Sequence, residues 1–197
     1  MRAPRATGFV AKAVFLVGFM GAGKTSVGRA LSHQLNWAFE DLDDRIERRE
    51  GRTVPEIFRD SGEAEFRRVE HYALRSIVEE LAGGAGRIVA LGGGAFVQKN
   101  NAALVKESGV PTVFLAAPVG HLWQRCSKQA RESGNERPLH QSREQFAQLY
   151  EKRQKIYECA SLKVQTEDRS IDEIAGEIAR RLVLKKIEIR IEQGELE

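Results

Sequence analysis

Cysteine is scarce. The 197 residues include only Cys126 and Cys159, far apart and without metal-ligand spacing, so neither a disulfide framework nor a zinc site is indicated and a reducing compartment fits. No apolar run approaches the length needed to cross a bilayer, and the first dozen residues lack the apolar centre of a secretory signal. Residues 1–12 carry Arg2, Arg5 and Lys12 without an acid, too short a stretch for a transit peptide, and read as an N-terminal extension on a cytoplasmic protein. The four histidines, His33, His71, His121 and His140, are scattered and read as surface or local hydrogen-bonding residues. Charge of one sign is also lacking. The net charge is +3, and no basic stripe is interleaved with aromatics, which argues against nucleic acid as a partner. The surplus that exists is local: residues 121–155 hold eight Lys/Arg against four Asp/Glu, either a solvated helical face or a surface turned toward an anion.

What is present is enough apolar material, 42% of residues, for the core of one domain. Strand-like runs at Ala13–Val17, Trp37–Phe39, Arg87–Leu91, Val110–Leu115 and Leu162–Val164 alternate with helical patterns. That alternation predicts a parallel sheet covered by helices on both faces, with ligands beyond the carboxyl ends of the strands. Ser142 with Gln145 and Ser170 with Glu173 have the spacing of capping boxes, and Ile171, Ile174, Ala175, Ile178 and Leu182 form a core stripe after the second. The glycines at 83, 84 and 86 read as a plain helix-to-strand connection. Residues 185–197 alternate charge and isoleucine, compatible with a loose helix, an added strand or disorder.

Directly after the first run comes Gly18-Phe19-Met20-Gly21-Ala22-Gly23-Lys24-Thr25, two glycines around four residues followed by lysine and a hydroxyl. A strand enters it, and Val27, Ala30, Leu31 and Leu35 leave it at helical spacing. This is a phosphate-binding loop: backbone N–H groups close around phosphate oxygens, Lys24 adds positive charge, and the Thr25 hydroxyl can ligate magnesium. ATP or GTP is the implied ligand.

The magnesium shell of such loops often uses an aspartate at the end of a second strand, but Ile88–Leu91 ends in Gly92-Gly93-Gly94. The acids following Trp37–Phe39 take its place. In an extended segment Asp41 and Asp43 point the same way, so one carboxylate can order the metal's waters while the other positions an acceptor hydroxyl. Equally, Asp43 or Asp44 can serve as the N-cap of the next helix. The triple glycine opens onto a helical pattern at 95–107, either as a tight turn or as backbone that approaches a ligand closely.

Three arginines extend the pattern. Arg153 falls on the apolar face made by Phe146, Leu149, Tyr150, Ile156 and Tyr157, where a charge needs a partner unless its head reaches water. Arg67 has Glu70 three residues on, a spacing that by itself suits surface decoration. Arg137 lies in a polar stretch, 126–141, that resembles a mobile lid and can bring charge over a transferring phosphoryl group.

Together, Gly18–Thr25, Phe39-x-Asp41-x-Asp43, Gly62-Glu63 with Phe66-Arg67, Gly92-Gly93-Gly94-Ala95, Arg137-Pro138-Leu139 and Arg153–Tyr157 resemble the shikimate kinase family, from about Val14 to Leu184. The resemblance implies a three-layer α/β/α sandwich of the nucleoside monophosphate kinase-like phosphate-loop type, with a five-stranded parallel sheet and a mobile lid. The kinase domain would span 13–184, between the extension at 1–12 and the tail at 185–197. It further implies a monomeric enzyme, with no membrane partner, that transfers phosphate from ATP with Mg2+ to the 3-hydroxyl of shikimate. Gly21, Ala22, Gly23, Lys24, Thr25 and Ser26 would hold the ATP phosphates, and Thr25 and Asp41 would serve the metal. Lys24, Asp43 and Arg137 would be catalytic. Asp43, Arg67, Gly93, Gly94 and Arg153 would bind shikimate, with Glu70 orienting Arg67 and Phe58 and Phe66 lining the ring, and Arg125 would pack on adenine while Arg137 reaches the phosphates. The chain departs from the family in a longer Arg125–Arg137 interval and in Asn101-Ala102 where Asn-Arg is common. Gluconate or another small acceptor on the same scaffold, or a regulatory module without turnover, are the competing readings.

Overall fold

The computed structural model describes residues 11–84, 86–133 and 142–186. Strands β1 (Ala13–Val17), β2 (Ala38–Asp41), β3 (Arg87–Ala90), β4 (Thr112–Ala116) and β5 (Leu162–Gln165) form one parallel sheet in the order β2-β3-β1-β4-β5. Helices α1 (Lys24–Leu35), α2 (Leu42–Glu50), α3 (Val54–Leu81), α4 (Lys99–Glu107), α5 (Val119–Ser133), α6 (Arg143–Tyr157) and α7 (Ile171–Arg181) cover both faces. The order explains the composition of β1. All five of its residues are buried because it pairs on both sides, Phe15 lying between Val89 and Thr112, and helices seal it above and below. A central strand flanked by chain that departs in opposite directions leaves a crevice beyond its carboxyl end, and the phosphate loop opens there.

Local chemistry sets the element ends. Asp41 ends β2 and caps α2, its side chain accepting from the Asp43 N–H. Neither Asp43 nor Asp44 is the cap, as the sequence alone allowed, because the backbone is still extended at Asp41 and turns helical at Leu42. Strand alternation therefore does not relate Asp41 to Asp43; a hydrogen bond does. Helix α3 starts with a reciprocal capping box between Thr53 and Glu56, and α7 with one between Ser170 and Glu173. Gly62 interrupts α3 with φ 80 and ψ 173, a conformation that a side chain resists, although a Cβ there would meet nothing within 4 Å.

Several expected boundaries shift. Strand β4 begins at Thr112 because Pro111 has no N–H to give a ladder. The triple glycine leads into a single 3-10 turn, Ala95–Val97, before α4 begins, so the helical pattern is broken at Gln98. Residues 126–133 of the expected lid are the last two turns of α5, while 134–141, including Arg137, lie outside the described residues. Ile171, first in α7, is 46% exposed and stands off the stripe made by the buried Ile174, Ala175 and Ile178.

Helix α2 is held by charge. Arg45 reaches Glu40 of β2 (2.8 Å) and Glu80 of α3, and Arg87 of β3 bridges the same two acids (3.3 and 2.8 Å). The hydrogen bond from Arg45, with a second from Arg87, pulls the Glu80 carboxyl down to about 2. The network anchors the helix that carries Asp43.

The 83–86 connection is also a packing requirement. A Cβ on Gly86 would stand 2.5 Å from the Trp37 indole, which is buried and donates through Nε1 to the Lys185 carbonyl at 3.1 Å. Gly86→Ala should therefore lower the unfolding free energy by about 1–2 kcal/mol, seen as an earlier urea midpoint, despite the smaller entropy of its unfolded chain.

Candidate active site

The donor side begins at the amino end of α1. Its N-cap is Gly23, in a left-handed conformation with no side-chain cap bond, so the first-turn N–H groups of Lys24, Thr25 and Ser26 face outward without a capping side chain. Gly21 has φ +77, and a Cβ there would lie 2.8 Å from both Leu122 O and Cys126 Sγ. The loop is thus pressed against α5, with Ala22 and Cys126 buried in that contact region. Lys24 Nζ curls over the loop to the carbonyls of Gly18 (3.0 Å) and Phe19 (3.1 Å).

One carboxylate couples this loop to the next strand. Thr25 Oγ1 donates to Asp41 Oδ2 at 2.8 Å, and Asp41 Oδ1 accepts from the Asp43 N–H at 3.1 Å. A hydroxyl beside a carboxylate at the end of a phosphate loop is a hard-oxygen donor set suited to Mg2+, which keeps most of its waters and takes further oxygens from phosphates. Among the described residues no group of three His, Cys, Asp or Glu forms a protein-only metal cage. Thr25 and Asp41 therefore fit a magnesium that arrives with a nucleotide.

The acceptor side is organised by Gly92-Gly93-Gly94 at the end of β3. A Cβ on Gly92 would lie 2.7 Å from Asp43 Oδ1, and one on Gly94 would lie 2.7 Å from both Nη atoms of Arg67. The Gly93 carbonyl accepts from Arg153 Nη1 at 3.3 Å and from the Tyr157 hydroxyl. Side chains from α2, α3 and α6 thus gather on a loop that has none of its own. Asp43, Arg67, Gly93, Gly94 and Arg153, dispersed over 111 positions of the sequence, meet in one place.

Arg67 is no surface ornament. Its Nη1 lies 3.0 Å from both oxygens of Glu70, which is 1% exposed, while Nε and Nη2 reach Glu63 Oε1 at 3.2 and 3.1 Å. Glu63 is 67% exposed, so its hold on that edge is weak and another carboxylate can replace it. The guanidinium lies over Phe66, which packs on Phe58 with ring centroids 4.5 Å apart. Arg153 in turn stands 5.8 Å over the Phe19 ring. Burial pushes the Glu70 carboxyl up to about 7 against the pull of the Arg67 charge and hydrogen bond, with the nearby Asp43 charge adding to the rise.

Arg125 occupies a different corner. From α5 its Nη1 and Nη2 bond Thr166 Oγ1 (3.3 Å) and Thr166 O (3.0 Å), just past the end of β5. Sequence reasoning gave no role to two contributors. Glu63 stands four residues before Arg67, a helix-pair spacing that signals it, and the Tyr157 hydroxyl stands one turn after Arg153 on a face read only as apolar.

The family model for shikimate kinase matches residues 20–183. The chain belongs to the shikimate kinase family. The shikimate kinase of Persephonella marina is 36% identical over 170 residues, 86% of this chain and 98% of that relative. The shikimate kinase of Nitrosospira multiformis is 39% identical over 175 residues, covering 87% and 85%. A shikimate kinase from Acinetobacter baumannii, solved in complex with shikimate, superposes with a TM-score of 0.75 at 32% identity over 91% of this chain and 96% of that one. A gluconokinase from Sinorhizobium meliloti, at 18% identity and a TM-score of 0.55, shares the fold alone. Membership in the shikimate kinase family makes the chain an ATP-using kinase of the phosphate-loop type.

Glu70 gives the family's pocket a pH signature in this chain. Its carboxyl titrates near 7 when folded and near 4.5 when not, so the folded state binds more protons between those values. The stability it contributes is full at acid pH and is lost as pH rises through that window, by roughly 3 kcal/mol. Glu70→Gln should flatten that part of the stability–pH curve in urea unfolding; an unchanged slope would assign it to other groups.

Proposed function

We propose that the chain transfers the γ-phosphoryl group of ATP to the 3-hydroxyl of shikimate, giving shikimate 3-phosphate and ADP in aromatic amino-acid biosynthesis. The observation that carries this reading is the gathering of Asp43, Arg67 and Arg153 on the Gly92–Gly94 loop, linked through Asp41 to the phosphate loop. A small acid with several hydroxyls suits that set: two guanidinium groups for its carboxylate and one carboxylate for the reacting hydroxyl.

In this reading Gly21 to Ser26 cradle the phosphates and Lys24 swings from the loop carbonyls to the transferring group. Thr25 and Asp41 would hold Mg2+, and the ion would supply charge neutralisation at the phosphates. Arg67 and Arg153 fix the acceptor's carboxylate, and Gly93 and Gly94 add backbone contacts. Asp43 accepts a hydrogen bond from the 3-hydroxyl and takes its proton as the oxygen–phosphorus bond forms. The bond from the γ-phosphorus to its bridging oxygen breaks, leaving ADP with that electron pair. Arg125 supports the adenine end, and Arg137, from the 134–141 segment, adds charge over the phosphates. The reading is completed by a monomeric cytoplasmic enzyme that takes both substrates from solution.

A coupled ADP-release assay with Mg2+, ATP and shikimate, gluconate or AMP in turn tests the reading. Shikimate alone should turn over rapidly, and Asp43→Asn should lower kcat by roughly 100- to 10,000-fold. Preference for gluconate or AMP, or full activity in Asp43→Asn, would contradict it. Arg153→Ala should raise the KM for shikimate by about ten- to a hundredfold and leave that for ATP nearly unchanged.

A further inference from the structure

We propose that Tyr157 is a positioning residue for the acceptor: its hydroxyl fixes the Gly93–Gly94 peptide so that the loop keeps its shape when Arg153 turns to the substrate. This rests on the shikimate-binding reading above. Three glycines in succession have almost no conformational preference of their own, so contacts from outside must define the loop. Asp43 bears on it at Gly92 and Arg67 at Gly94, and both are groups that must engage the acceptor. Within the turn the Gly92 and Gly94 carbonyls accept from the Ala95 and Val97 N–H groups (3.0 and 3.2 Å), so the hold left to come from outside is on the Gly93 carbonyl between them.

That carbonyl oxygen has two lone pairs, and two donors from α6 take them, Arg153 Nη1 at 3.3 Å and the Tyr157 hydroxyl. The donors are unequal. Arg153 is half-buried on a long stem and has its guanidinium at the pocket, where a carboxylate competes for it. Tyr157 is 0% exposed, its ring stacked on Phe114 of β4 at 5.4 Å, so its hydroxyl cannot leave without disturbing the sheet. Burial also pushes its ionisation up to about 12, which keeps it a donor at every working pH.

The consequence follows from peptide geometry. The chain has no cis peptide among the described residues, so the Gly93 C=O and the Gly94 N–H lie antiparallel in one plane. With the carbonyl pinned toward Tyr157, the Gly94 N–H is turned the opposite way, and no backbone carbonyl among the described residues accepts from it. Tyr157 thereby sets the direction of a donor without touching the substrate.

Steady-state kinetics and thermal melting of full-length Tyr157→Phe, beside the unaltered chain, test this. The variant keeps the ring and deletes one oxygen. The KM for shikimate should rise about tenfold, the KM for ATP should stay within about twofold, and the melting temperature should move by only a few degrees. A merely structural hydroxyl would move the melting temperature and both KM values together. An unchanged shikimate KM, a parallel loss of both affinities, or a variant that does not fold would each overturn the inference. If the unaltered chain fails to phosphorylate shikimate, the underlying reading falls and the inference with it; if it succeeds while Tyr157→Phe matches it, the inference alone is wrong.

Discussion

The site depends on a stretch of backbone without side chains lying where three charged groups must meet. Gly92, Gly93 and Gly94 let the Asp43 carboxylate, the Arg67 guanidinium and Arg153 approach the same few atoms of main chain, at distances that a single methyl group would forbid at Gly92 and Gly94. Bringing one acid and two bases together in a partly buried place costs desolvation, and the chain offsets it by pairing. Glu70 and Glu63 share Arg67, Arg153 finds the Gly93 carbonyl and the Phe19 face, and burial still pushes the Glu70 carboxyl up to about 7 against the pull of the two arginines.

The donor half uses the same economy. Asp41 at once ends a strand, caps a helix and accepts the Thr25 hydroxyl, so the phosphate loop and the helix carrying Asp43 are joined through a single carboxylate. The Arg45–Glu80 network, two residues on from Asp43 in the same short helix, keeps it from rotating. The elements proposed to carry nucleotide and acceptor thus have their relative placement set by hydrogen bonds as well as by apolar packing, as in-line transfer would require.

Much of this was legible in the residues themselves. The strand–loop–helix around Gly18–Thr25 declares itself because glycine, lysine and threonine have each a separate physical duty there, and five apolar runs separated by helical periods leave little choice but a parallel sheet. Arg153 was traceable from its place on an apolar face. Other features depend on partners distant in sequence. Glu70 stands at helical spacing from Phe66, Ala73, Leu74 and Ile77, yet its three-residue spacing to Arg67 equally suits a surface pair, and the packed helix decides for burial. The cap stayed open in the sequence because acids so close together are interchangeable by propensity, and the structure places it at Asp41, where the backbone is still extended and the side chain accepts from the Asp43 N–H. The Tyr157 hydroxyl was hidden by its own ring, whose apolar area accounts for its position without the oxygen.

A crystal structure of the chain with shikimate and ADP tests the central claim most directly. The account predicts the shikimate carboxylate between Arg67 and Arg153, its ring beside Gly93 and Gly94, and its 3-hydroxyl within hydrogen-bonding distance of Asp43. Shikimate bound away from the triple-glycine loop, or with its carboxylate directed at Asp43's side of the pocket, would contradict it.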